Sequence, residues 1–398
     1  KFRSQKSNKD SAIERFVELM QWALKPVTKR KETIGVVAKG CDSRNIVTHI
    51  LENKIKREQL YIIGIPCQGM IDRRRVNAMF DGEVREVVDG SDRLLLPLGR
   101  WLTEDLVLVA STGVIGEPLA ADRIQQAVPE LIIALDPAGI SNFAEAIMTT
   151  DTVPKIVSQK GNLDGVPFSV TGVAKGAGMI RPDMATLLCF IMTDVVAEPL
   201  LLKEVLESVT NRTLNRITID GDTSTNDTAL LLANGLGGAV VKGDAAQRTF
   251  FNLIESVLMS LGKLLVKDGE GATKVVEVVV QGAESERDAR QIADTVAHSN
   301  LVKTALFGED ANWGRILGAV GRAGVPVETE RIDVFFGDVC MVRNGLGCGK
   351  KAESEATRVL KKPEFPIRID IKSGRGEASV FTCDFSIDYV KINADYRS

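Results

Sequence analysis

From Lys175 to Phe190 the chain reads KGAGMIRPDMATLLCF. Gly176, Gly178 and Pro182 interrupt any regular element, and the apolar run ATLLCFIMTD follows at once. Thr186 stands where this loop becomes a strand. A β-branched residue at the head of a buried strand is ordinarily structural, but two features give this one chemistry. Glycines admit close backbone approach and unusual dihedrals, and strain at a peptide bond beside a hydroxyl is what an N-to-O acyl shift requires. Cleavage between Ala185 and Thr186 would free an α-amine on Thr186. Its reference pKa of about 7.7–8.0 suits it as the base for the adjacent hydroxyl. Such a site needs no histidine, and the chain has only two, His49 and His298. A Ser/His/Asp triad or a histidine metal site has little to draw on.

Four other segments carry candidate groups. STGVIG (111–116) ends an apolar run and reads either as a tight turn or as an oxyanion hole made by Thr112 and the Gly113 N–H. Lys175 reads as a solvated charge, or as a cation that keeps a nearby α-amine unprotonated and holds an anionic substrate. GDTSTNDT (221–228) reads as an Asx or ST turn. Asp222 and Asp227 raise a hard-cation loop as the alternative, but the remaining ligands of a calcium loop are absent. Cys41 and Cys67 are either cluster ligands or buried small residues, and two thiols do not complete a four-cysteine cluster.

These groups need elements to position them. Helical spacing appears over 11–25, with Ile13, Phe16, Val17 and Met20 on one face. TIGVVAKG (33–40) and LYIIGIPC (60–67) read as buried strands flanking a helix at 42–56, a small parallel α/β unit. Residues 72–100 are charged and turn-rich, which places a boundary near 95–104. Beyond it we expect a strand from 105, helices at 120–134 and 140–149, and strand, glycine loop and strand over 167–194. Helix 200–212, strand 215–221, helix 246–265, strand 274–281 and helices at 285–297 and 312–324 follow. The C-terminal part alternates strand (331–345), helix (351–361) and strands (365–390). The pattern is layered α/β structure, with no internal repeat.

The 398 residues carry 44% hydrophobic and 26% charged side chains and a net charge of −3, enough for two or three domains with large cores. Near-neutral charge points to no nucleic acid and no anionic membrane. No run of about 18 apolar residues is evident, so no membrane span is expected. The basic start KFRSQKSNKD lacks the apolar core of a secretory signal. The six cysteines, at 41, 67, 189, 340, 348 and 383, form no CxxC pair and no zinc spacing. They read as reduced thiols in the cytoplasm, and no metal is expected.

KGAGMIRPDMATLLCF, together with STGVIGEPL, GDTSTNDTALLLANG, VKDGEGATK and the terminal DYVKINADYRS, resembles the glutamate N-acetyltransferase / ornithine acetyltransferase family of arginine biosynthesis. The likeness runs from about residue 105 to the C-terminus, with five motifs in order. It implies a self-processing, N-terminal-nucleophile-like sandwich of sheets and helices, cut between Ala185 and Thr186 into an α chain (105–185 in its family-like part) and a β chain (186–398). Thr186 would be the nucleophile that takes acetyl from N-acetylornithine and passes it to glutamate. Thr112 and Gly113 match the oxyanion hole. Thr149, Lys175, Glu270, Asn393 and Ser398 match substrate-binding positions, with Thr186 itself, Ser398 standing where relatives often have threonine. The resemblance implies no cofactor, leaves open whether acetyl-CoA also serves as donor, and implies an α2β2 assembly. Residues 1–104 depart from that family. Within them, GVVAKGCDSRNIV and YIIGIPCQGMIDRRRV are similar to part of the beta-subunit family of deazaflavin-dependent hydrogenases and dehydrogenases, without its cysteine-rich ferredoxin motifs. Competing readings are an amidohydrolase or aminopeptidase with water as acceptor, and an inactive fusion led by a remnant redox segment.

Overall fold

The structure is a computed structural model that describes strands at residues 34–38, 60–64, 94–96 and 100–102, most of 110–181, and 187–395. The expected helices at 11–25 and 42–56, as well as Ala185, Thr186 and Ser398, lie outside the described residues. So do Cys41 and Cys67.

β1 (Ile34–Ala38) and β2 (Leu60–Gly64) pair in parallel, Ile34 opposite Leu60, as a strand–helix–strand unit requires. In the stretch read as turn-rich, β3 (Leu94–Leu96) and β4 (Arg100–Leu102) form a short antiparallel pair. Residues 123–124, 126–127 and 130 are helical, inside the expected helix at 120–134.

Next come α1 (Ile140–Ala146), β5 (Lys155–Leu163), β6 (Val166–Lys175) and β7 (Leu188–Thr193). They are followed by α2 (Pro199–Arg212), β8 (Ile217–Thr218) and β9 (Thr228–Ala233). β5, β6, β7 and β9 form one sheet in that order, antiparallel except for the β7–β9 pair. β5 was not expected, although its signal is present. Asp164 and Gly165 both take positive φ, 50° and 88°, the conformation of a two-residue Asp-Gly hairpin loop. β7 is apolar throughout because both its faces are covered. Leu188 and Phe190 pack towards Ala144 and Ile147 near α1, while Cys189 and Ile191 face the opposite core.

That opposite core is filled by α3 (Asp244–Lys267), whose Phe250, Ile254, Val257, Leu258, Leu261 and Leu265 recur at helical spacing and are all buried. α3 lies against β5 and β6. At Gly172 of β6 an added Cβ would come within 2.6 Å of the Leu261 side chain, so the bare backbone is what lets the helix settle on the sheet. One expectation is corrected here: α3 is long and apolar enough to cross a membrane by length and composition. Its apolar stripe is used up in the protein core instead.

The second sheet uses β8 and the C-terminal half. β10 (Val275–Ala283) leads into α4 (Glu286–Ala297), α5 (Asn300–Phe307) and α6 (Trp313–Gly321). β11 (Asp333–Phe336), β12 (Val339–Arg343) and β13 (Leu346–Gly347) replace the single strand expected over 331–345. α7 (Lys350–Leu360), β14 (Glu364–Asp370), β15 (Gly376–Cys383) and α8 (Ile387–Asp395) complete the chain. The order is β13-β12-β11-β14-β10-β15-β8. Val278, Val280, Ile367 and Ile369 pack with Ile292, Val296, Ile316 and Val320 of α4 and α6 in a core of their own. α8 corrects the expected strand there: the Ser386 hydroxyl accepts from the Tyr389 N–H at 3.2 Å, the bond of a helix N-terminus.

Candidate active site

β6 ends at Lys175, and the loop that follows turns back along buried charge. Lys175 is 2% exposed although its side chain is long and charged. Its ammonium donates to Thr149 Oγ1 at 2.8 Å and lies 3.9 Å from the Asp151 carboxylate. Burial pushes the lysine pKa down, against the attraction of Asp151 and the more distant carboxylates of Glu270 and Asp227. Asp151 accepts from Lys155 Nζ and the Gly176 N–H, both at 2.7 Å, and from the Thr149 N–H at 3.1 Å. Burial alone would raise its pKa, but Lys175 and Lys155 together hold it below the ordinary carboxylate value. Lys155, 1% exposed, also meets Asp268 at 2.5 Å, and Asp268 accepts from the Thr152 backbone and hydroxyl. Two buried lysines and two carboxylates thus neutralise one another under the loop. Of the set, Lys175 keeps the weakest ion pair.

Glu270 approaches the same loop from the turn after α3. Its N–H donates to the Ala177 carbonyl at 2.7 Å, and its carboxylate accepts from Asn393 Nδ2 of α8 at 2.8 Å. A Cβ added at Gly178 would fall 2.4 Å from that carboxylate, so the glycine leaves the seat Glu270 occupies. Met179, the next residue, has a φ of 55°, a left-handed conformation costly for a long side chain. It is held there by the Asp220 carboxylate, which accepts from the Met179 and Ile180 N–H groups at 2.6 and 2.9 Å. The loop before Ala185 therefore carries a residue in the left-handed region at Met179.

GDTSTNDT acts as a clamp. Asn226 Nδ2 donates to the Ser111 carbonyl at 2.9 Å, immediately before Thr112 and Gly113, both half-buried. The neighbouring Asp227 accepts from the Leu187 N–H at 2.7 Å through Oδ1. The Leu187 nitrogen is covalently bound to the Thr186 carbonyl carbon. Consecutive residues thus fasten the STGVIG segment and Leu187, the residue that leads into β7. The other Asp227 oxygen is buried with no hydrogen-bond partner among the described residues, and burial raises the carboxyl pKa to about 8. Among the described residues no group of three His, Cys, Asp or Glu side chains converges.

The structure thus unites Lys175 with Thr149 and Glu270 with Asn393 beside one loop, and ties the Thr112–Gly113 segment to Leu187. Thr186, Ala185 and Ser398 are outside the described residues. Sequence reasoning missed Asp151, Lys155, Asp268 and Asn226. The signal for Asp151 and Lys155 was a polar cluster, TTDTVPK, between apolar stretches, while Asn226 and Asp268 lie inside GDTSTNDT and VKDGEGATK.

The model of the ArgJ family matches residues 93–398 of this chain. The chain belongs to the ArgJ family. It is 52% identical over 298 residues to the arginine biosynthesis bifunctional protein ArgJ of Geobacter sulfurreducens, covering 74% of this chain and 76% of that one. The ArgJ of Caulobacter vibrioides is 48% identical over 295 residues, 73% of each chain. Among solved structures, the ArgJ of Bacillus halodurans matches with a TM-score of 0.50 and 38% identity, over 52% of this chain and 98% of that one. As an ArgJ family member the chain is an acyltransferase of arginine biosynthesis, a glutamate N-acetyltransferase. The family match opens at residue 93, earlier than the motifs at 105 suggested, and leaves residues 1–92 outside it.

Proposed function

We propose that acetyl moves from N-acetylornithine to glutamate through an acetyl ester on Thr186, formed after the chain cuts itself between Ala185 and Thr186. The observation that carries this reading is the clamp: Asn226 and Asp227 fasten the Thr112–Gly113 segment and the first peptide N–H after Thr186. In the first half-reaction the Thr186 α-amine takes the Oγ proton and Oγ attacks the acetyl carbonyl. The Gly113 N–H and Thr112 hydroxyl stabilise the oxyanion. The C–N bond breaks, ornithine leaves with the proton on its α-nitrogen, and acetyl remains on Oγ. Glutamate's amine then reverses the sequence. Lys175, supported by Thr149, is the cation for a substrate carboxylate. Glu270, held by Asn393, is the anion for the side-chain ammonium of ornithine, and Ser398 is a further substrate-binding hydroxyl. Acetyl-CoA as an additional donor, an α2β2 assembly of the cut chains and a cytoplasmic location complete the reading. Residues 1–104, 105–185 and 186–398 are its three parts.

Intact-mass spectrometry of purified protein tests it. Chains 1–185 and 186–398 are expected, the second gaining one acetyl group on addition of N-acetylornithine and losing it on addition of glutamate. Thr186→Ala remains one chain and takes no acetyl. Cleavage at Ala185 in that variant, or acetyl on any other residue, would rule the reading out.

A further inference from the structure

On α4, Arg287, Arg290 and Asp294 recur at spacings of three and four, which puts them on one helix face. That face lines a cleft of about 400 Å³, completed by Arg181 from the loop after β6, by Arg322 at the end of α6 and by His298 at the end of α4. Four guanidinium groups thus share the cleft with a single carboxylate. Arg290 donates to the Asn215 carbonyl at 3.1 Å and lies 3.8 Å from Asp294, and Arg322 donates to the Thr295 carbonyl at 3.2 Å. The Arg181 carbonyl accepts from the Thr223 hydroxyl at 3.2 Å, while no hydrogen bond or ion pair engages its guanidinium or that of Arg287 among the described residues. Burial and the charges of Arg181, Lys303 and Arg322 lower the His298 pKa to about 4, so its imidazole is neutral at pH 7. Its backbone N–H donates to the Asp294 carbonyl at 3.0 Å, and its Nε2 is buried without a partner among the described residues.

An ordinary solvated helix face spreads its charges and pairs them at i,i+4. Here cations from three separate elements converge, an arrangement whose mutual repulsion is relieved by an anion between them. The surplus of three positive charges over Asp294 exceeds what one carboxylate brings. The planar guanidinium fork, offered several times over, matches phosphate oxygens in pairs. We infer that this cleft is a second binding site, which takes the phosphate groups of a phosphorylated ligand. The inference stands on the cleft and is independent of the acetyl-threonine reading.

Isothermal titration calorimetry on the full chain, with inorganic pyrophosphate and with adenosine 3′,5′-bisphosphate as probes, tests it. At least one probe is expected to bind at one site per chain, more weakly as potassium chloride is raised. A double substitution, Arg287→Gln with Arg322→Gln, weakens that binding at least roughly tenfold, while acetyl transfer from N-acetylornithine to glutamate persists as evidence of an intact fold. If that double variant does not fold, Arg287→Lys with Arg322→Lys keeps the charge but loses the fork, and also weakens binding. Tighter binding of the bisphosphate marks a nucleotide-borne phosphate as the ligand, and tighter binding of pyrophosphate marks a free one. No binding of either probe, or affinity unchanged by the substitutions in a folded variant, overturns the inference.

Discussion

In the proposed transfer Thr112 donates to the oxyanion, and Asp227 accepts from the Leu187 N–H. A preorganised donor to an oxyanion is worth about 2.7–4 kcal/mol in the transition state. Thr112→Ala is therefore expected to lower kcat by roughly two to three orders of magnitude with little change in KM, measured by steady-state transfer to glutamate. An unchanged kcat would return STGVIG to the status of a turn. Asp227 titrates in the opposite sense from a salt-bridged carboxylate. Its folded pKa is raised to about 8 by burial, whereas an unfolded aspartate loses its proton near about 3.9. Between those values the folded state holds the proton and the unfolded state does not, so the contribution is complete below the lower pKa and falls away as pH rises towards the higher one. In the uncut Thr186→Ala chain, Tm is expected to decline across this window, and Asp227→Asn, which carries no titrating proton, to flatten the decline. Parallel Tm–pH curves for the two proteins would show that Asp227 is ionised in the fold.

At the scale of elements, the loop between β6 and β7 is shaped by what surrounds it. Gly178 gives room to Glu270, and Asp220 holds Met179 in its left-handed conformation. A methyl at Gly178 has carboxylate atoms, and nothing softer, within 2.6 Å. Gly178→Ala is thus expected to displace Glu270 and reduce kcat/KM by roughly a hundredfold, the usual cost of a misplacement near 1 Å. Kinetics on the purified variant, with circular dichroism to verify folding, checks this. α8 illustrates a boundary the sequence left ambiguous. Ile387 and Val390 are 63% and 64% exposed and no residue of the helix is buried. It is positioned by Ser386 and by the Asn393–Glu270 bond rather than by an apolar stripe. Periodicity, which finds buried faces, has nothing to detect there.

Across the whole molecule, α3 is the element that both the four-stranded sheet and part of the second sheet rest on, since its buried side chains share one core with Ile217 and Phe381. Truncating Leu261 in that core is expected to cost about 2.7–5 kcal/mol, read as a lowered midpoint in urea unfolding. A loss below about 1 kcal/mol would mean that the sheet collapses onto the helix and fills the space. Fixing β6 and β10 at the two ends of one core also fixes Lys175, at the end of β6, relative to Glu270, in the turn before β10.

The family was legible in the residues: KGAGMIRPDMATLLCF, STGVIG and GDTSTNDT stand out by local composition as a glycine loop running into a strand and two polar turns, and the ArgJ family match covers all three. The parallel pairing of β1 with β2 and the long amphipathic α3 were legible for the same reason, because strand and helix periodicity are local properties. β5 had its Asp-Gly hairpin signal, and it was overlooked. Tertiary structure alone decided that Lys155 bridges Asp151 and Asp268 and that, with Lys175, the four charges neutralise each other. It alone joined Asn226 to Ser111 across 115 residues and gathered Arg181 and Arg322 around α4. Those contacts depend on side chains far apart in the chain meeting in a low-dielectric interior or a shared cleft. Charge type and spacing along the sequence do not say which opposite charge each will find.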